Sequence, residues 1–421
     1  MKGFYKVLGP GLIFASTAIG VSHLVQSTRA GMMYGFGFLM PIILINLLKF
    51  PFFEYGTRYA AATGKSLIDG YRKLGIWAIA AYFLVMLISL FFVSAAVFQV
   101  TAVFMEELFR FKQWTDLSWL PLVLTVMICF LILAFGRFKA LDQVIKVVGL
   151  VMIGCTAIAF LMVLWKGPVS IEPGFEEPSL WVVSTIPFAI ALMGWMPTAV
   201  DLSTWNSLWT LEKRKTSGYH STVKEAVREF SLGYWISAAL AVMFLTLGAY
   251  LVYGTSIPVM GGSGGFANQV ISLFTESMGA WSYYLIAVAA FCIMFGTSIG
   301  VLDGYSRAFQ RSWEVAFRNG NSLGDRFYLS ALLMTALGAF LLCWLLKDQP
   351  KGFLLIVDIA TILSFLFAPV VAVLNYILVT RKDFPAAAQP KLWMKLLSVV
   401  GIVVLSLLSL VYVAYYFGGF D

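Results

Sequence analysis

Charge is scarce in this chain: Asp, Glu, Lys and Arg make up 12% of 421 residues, where a soluble globular chain carries about 25%. So few charges cannot dress a surface that faces water on every side. A set of soluble domains is therefore excluded, and no loop is long enough to fold alone. Histidine is nearly missing, with two residues, and cysteine stops at four (Cys129, Cys155, Cys292, Cys343). Each cysteine lies inside an apolar run and none pairs as CxxC, which reads as small buried hydrophobes, not as disulfides or a metal site. No Walker loop, HExxH, GxSxG or paired-carboxylate motif occurs, so no enzyme chemistry has a motif behind it and no cofactor is expected. What is present instead is apolar: 60% of the residues are hydrophobic and 16% aromatic. An all-α polytopic membrane protein follows, with the lipid bilayer as its first partner.

Eleven apolar runs are long enough to span, near 9–29, 36–60, 76–104, 117–135, 143–165, 179–207, 229–253, 280–302, 326–346, 353–380 and 393–417. The first begins directly after a short start, so no cleavable leader is expected. A net charge of +8 does not point to nucleic acid here, because the basic residues sit in short loops between the runs. With the N-terminus inside, twenty-two Lys and Arg fall on the cytoplasmic side, six on the other, and Lys49 within the second run. That asymmetry predicts a cytoplasmic N-terminus and an outside C-terminus, in a bacterial inner (plasma) membrane. The outside loops 167–179, with Glu172, Glu176 and Glu177, and 255–265, rich in Gly, read as solvated. Inside, 216–228 is expected to form a short amphipathic helix joining runs six and seven, with His220 facing solvent.

Two runs lose their apolar character halfway. In 15–31, Gly20, Ser22, His23, Gln26, Ser27, Thr28 and Arg29 arrive within ten positions; in 191–205 come Gly194, Pro197, Thr198, Asp201 and Ser203. A continuous lipid-facing helix would not carry them, since each unsatisfied polar group in hydrocarbon costs several kcal/mol. Helices broken around a protein-lined cavity would, and such a pair in corresponding halves marks a transporter's substrate site. Runs one to five (about 9–165) and six to ten (about 179–380) then overlay as two repeats of opposite orientation. The last run (about 393–417) is additional, and the whole of 1–421 is one transmembrane transporter domain.

The expected site comprises Gly20, Ser22, His23, Met196, Thr198 and Asp201, with His23, Met196 and Asp201 as donors to a metal. Asp201 is the one carboxylate in either broken run. If the helix restarts after Pro197, Thr198 and Asp201 share a face and Trp205 stacks one turn below. His23 offers an imidazole for a transition metal or a proton, and Met196 a thioether that discriminates against hard Mg and Ca. Lys49 and Glu54, near the cytoplasmic end of run two, read as snorkelling or local pairing. Asp303 closes run eight, and Asn375 is expected to bond a neighbouring helix. The substrate implied is a small ion, a divalent transition metal first. Two alternatives remain: an organic or anionic solute bonded by Ser22, Gln26, Thr198 and Ser203, and a non-transporting sensor on the same scaffold, for which an output domain is missing.

These residues give the chain a resemblance to the Nramp family of proton-coupled divalent-metal transporters. Gly9–Pro10 precedes run one, TRYAAATGKSL follows run two, Met196–Pro197 matches the start of the family's MPH motif, and run eight ends GVLDGYSR with Asp303 as the acid. The resemblance implies a LeuT-like 5+5 inverted repeat plus one helix, helices one and six broken, and alternating access. The chain departs from the family's pattern at the chemistry. Where the family has Asp-Pro-Gly-Asn, this sequence has Gly20, Val21, Ser22 and His23; the MPH histidine is Thr198; and Ser89 and Phe92 stand where the family keeps span-three acids. Weak or absent proton coupling through that span is the expectation.

Overall fold

The computed structural model describes residues 7–180, 182–259, 263–347, 349 and 352–418. The described chain is helical, without strands. Helix α1 (Pro10–Ala18) begins with proline in its first turn, where the missing N–H costs nothing. It stops at Ile19 and Gly20, whose ψ angles of 83° and −129° are not helical. The chain resumes as a seven-residue π-helix, Val21–Ser27, and then as α2 (Thr28–Tyr34). Helix α3 (Leu39–Thr63) ends on left-handed Gly64, and α4 (Leu67–Leu74) starts from a Ser66/Asp69 capping box. Helices α5 (Ile76–Phe109) and α6 (Leu120–Lys166) follow.

The second broken helix comprises α7 (Ile186–Trp195), a non-helical stretch 196–199, a 3₁₀ turn (Val200–Leu202) and α8 (Ser203–Ser217). Then come α9 (Val223–Leu251), α10 (Ser263–Met278), α11 (Ser282–Phe317), α12 (Gly324–Leu345), α13 (Gly352–Thr380) and α14 (Leu392–Tyr416). Among the described residues, nine helices are long and apolar enough to cross a membrane, counting the broken α7–α8 stretch as one. The expected fourth and fifth runs are two helices that join at a kink within Leu120–Lys166, labelled together α6, where Arg137 takes a non-helical φ of 48° and ψ of −143°; the count of nine takes them as one. The expected linker helix over 216–228 is not a separate element. Gly218, at φ 63°, stops α8, and the Thr222/Glu225 capping box starts α9 inside that stretch. His220 is exposed and accepts a hydrogen bond from Arg214. The connection after α9 carries α10, where the sequence reads as loop.

Helix α11 is the most enclosed of the nine, and α14 the least. Its Gly296, Thr297 and Gly300 lie against Ser16, Ile19 and Thr17 of the first helix, the small-residue contact expected where helices must approach closely in lipid. Phe14 of α1 meets Phe53 of α3 and Phe230 and Tyr234 of α9, with ring centroids 5.1 to 5.7 Å apart. Deep in α13, Asn375 ties four elements: it donates to Phe52 O (3.2 Å) and Ser203 Oγ (2.7 Å) and accepts from the Tyr71 hydroxyl (2.5 Å). All four cysteines are free thiols.

Candidate functional site

The two interruptions meet. Ser22 Oγ, at the start of the π-helix, lies 3.1 Å from Pro197 O in the second break, 3.1 Å from Ala18 O and 2.8 Å from His23 Nδ1. Gly20 sits where a side chain would not fit, since a Cβ there would come within 2.8 Å of Thr297. The Thr297 hydroxyl lies 2.9 Å from Ile19 O, a carbonyl that the break leaves without a helical partner.

His23 is fully buried. Its Nε2 faces Ser237 O at 3.1 Å and Ser237 Oγ at 3.0 Å, on α9. A carbonyl only accepts, so Nε2 is assigned the proton and Nδ1 the lone pair. That lone pair is directed at the Ser22 hydroxyl. Because Ser22 also has Pro197 O within reach, turning one hydroxyl proton leaves Nδ1 open to another partner.

Asp201 is 3% exposed, and its Oδ1 has no hydrogen-bond partner among the described residues. Lys49, Tyr71, Tyr82 and Tyr305 are its electrostatic neighbours. Thr204 Oγ1 links the Tyr82 hydroxyl (2.6 Å) to the Asp201 carbonyl (3.1 Å). Ser89 Oγ and Tyr305 Oη, both buried, face each other, and the buried Trp205 Nε1 lacks a hydrogen-bond partner among the described residues. Trp205 packs edge-on against Tyr305 with centroids 4.6 Å apart. Thr198 lies in the non-helical stretch and not on a helical face with Asp201, because regular α-helix restarts only at Ser203. Met196 is fully buried among apolar side chains that include Ile42, Leu192, Val200 and Ala241. Among the described residues, no group of three His, Cys, Asp or Glu side chains is arranged to hold a metal ion.

Lys49 differs most from its sequence reading. It does not snorkel. Its side chain is fully buried, and its Nζ donates to Met193 O (2.8 Å), Gly194 O (2.6 Å) and Thr198 O (3.4 Å). The sequence held the signal, an ammonium in the middle of an apolar run, which marks a functional group by default. Glu54, one turn on, pairs with Arg58. Asp303 is also fully buried, bonded by Arg307, Trp209 and Tyr328.

A cavity of about 830 Å³ opens at the far end of α8, lined among others by Asp69, Arg137, Glu212, Arg307, Arg311 and Glu314. These six charges are paired: Arg311 with Asp69 and Glu314, Arg137 with Asp325, and Arg307 with Glu212.

Two mid-span helix breaks joined inside a closed helical bundle define the LeuT-like class of transporters. The comparisons agree: the fold matches an Eremococcus coleocola manganese transporter, crystallised with an aromatic bis-isothiourea compound, at TM-score 0.73 and 14% identity over 100% of this chain and 89% of that one. It also matches a nucleobase-cation-symport-1 family transporter in a closed conformation with bromovinylhydantoin bound, at TM-score 0.62 and 15% identity over 99% and 94% of the two chains. The family model "Natural resistance-associated macrophage protein-like" matches residues 11–415. An uncharacterised protein of Pasteurella multocida (strain Pm70) is 32% identical over 413 residues, 97% of this chain and 92% of its own. The chain belongs to the Nramp family, whose members are transporters and not enzymes.

Proposed function

We propose that this protein moves a divalent transition-metal cation across the membrane by alternating access, with the cation seated between the two helix breaks. The observation that carries this is Asp201 Oδ1, a buried and unpartnered carboxylate oxygen beside the second break. In this reading Asp201 supplies the negative ligand. His23 supplies its Nδ1 once Ser22 turns to Pro197, with Ser237 holding the other ring nitrogen as second-shell partners do. Met196 supplies a thioether for soft metals, and Gly20, Ser22 and Thr198 line the seat. The halves 9–165 and 179–380 act as inverted repeats, and the basic face with the large cavity is cytoplasmic.

The test is uptake into proteoliposomes of Mn, Fe, Co, Ni, Zn, Cd and Mg, and of a panel of organic solutes, with and without a pH gradient. Manganese, the cargo named for the Eremococcus coleocola transporter, comes first. Asp201→Asn keeps the shape and removes the charge. Loss of a ligand exceeds the loss of an outer-shell partner, so metal uptake should fall about 100-fold or more. Wild-type metal uptake by that variant would overturn the reading.

One observation favours a second reading. Lys49 balances the charge of Asp201, and the unpartnered Nε1 of Trp205, packed against Tyr305, suits a small neutral polar solute. Uptake of such a solute, without any metal, would establish it.

A further inference from the structure

A lysine side chain reaches into the second break from α3. Helix α7 ends at Trp195, and neither Met196 nor Pro197 continues it, so the carbonyls of Met193 and Gly194 are orphans at the negative end of a helix. Buried at membrane depth, such carbonyls need donors. The donor here is the Lys49 ammonium, whose three protons match the three carbonyls of Met193, Gly194 and Thr198. The groups come from the end of α7 and from within the non-helical stretch, so Nζ ties the two together and does not merely cap α7. The Asp201 carboxylate beside it leaves the pair neutral overall.

We propose that Lys49 is a positioning residue that acts as a tethered monovalent cation: its ammonium fills a cation site formed by the carbonyls of the second helix break and holds that break open. The site is built for a positive charge coordinated by backbone oxygens, and a free cation of similar size fits it once the tether is removed. This holds for either substrate, because it concerns the scaffold of the site and not its cargo. It also explains how Asp201 stays buried with one oxygen unpartnered, since the nearby positive charge offsets part of the cost of burial.

The experiment truncates the tether and returns the charge from solution. In purified full-length protein, Lys49→Ala should lower the melting temperature by about 5 °C or more, as expected for breaking a buried charge pair. Ethylammonium or propylammonium at millimolar concentration should recover at least half of that loss. Propanol, of similar size and uncharged, should recover none. Lys49→Met fills the space without charge and should stay destabilised, while Lys49→Arg should stay closer to wild type. A sodium- or potassium-dependent rise in melting temperature, seen in Lys49→Ala and absent from wild type, would show the vacated site directly. A Lys49→Met variant as stable as wild type, or equal recovery by propanol and propylammonium, would overturn the proposal by showing that Lys49 only fills volume. If Lys49→Ala cannot be purified, Lys49→Met compared with Lys49→Arg still decides it. Failure of metal uptake in wild type bears on the proposed cargo and leaves these melting curves unaffected.

Discussion

Gly20 shows how narrowly the first break is fitted. Thr297 occupies the space a side chain would need, within 2.8 Å of a Cβ at Gly20. Gly20→Ala should cost about 1–3 kcal/mol by overpacking and depress transport more than expression. The double variant with Thr297→Ala, which removes the two nearest atoms, should recover most of that loss in thermal denaturation. Additive losses would place the damage in the backbone. At this scale the sequence was only partly readable. The polar residues of both broken runs stood out because hydrocarbon does not tolerate them. The role of Lys49 did not, because only the folded chain brings α3 beside the carbonyls of α7. Ser237 gave no signal at all, since a serine in an apolar run is ordinarily unremarked.

The start of α1 depends on a side chain 220 residues away in sequence. The carboxylate of Glu229 on α9 accepts from the N–H of Gly9 (2.9 Å) and of Gly11 (2.9 and 3.0 Å). It thereby satisfies two orphan donors at the positive end of the helix. Glu229→Ala should cost about 3 kcal/mol. Amide hydrogen exchange at residues 9–13 should speed up by two orders of magnitude or more, while the middle of α9 stays protected. Unchanged exchange at Gly9 and Gly11 would refute the dependence. Elements were legible where composition alone decides them. The apolar runs and the two interruptions follow from hydropathy and from Pro197. The form of the first interruption does not. Seven residues of π-helix carry no compositional mark that separates them from α-helix.

For the molecule as a whole, the fold class was readable because a membrane allows few solutions. The joints between elements were not, and Asn375 is the clearest of them. Asn375→Ala removes bonds to α3, α4 and α8 together. It should lower stability by about 1–3 kcal/mol, at roughly 1 kcal/mol or less per bond, and a thermal melt checks this. The first broken helix has a different kind of joint. On one side of the break, Gly11 and Gly233 bring α1 and α9 backbone to backbone; on the other, Gly31 and Gly248 do the same for α2 and α9. His23, between them, is bonded to Ser237 of the same helix. Helix α9 is thus a splint laid along a fracture, fastened above it, below it and at its centre. A splinted fracture does not bend. With those contacts in place the two halves of the first helix are held together, so the proposed alternating access is expected to carry α1, α2 and α9 as one rigid lever. Spin labels on α1 and α9 should keep a constant distance through the cycle, and the distances that change should be those from this lever to its surroundings.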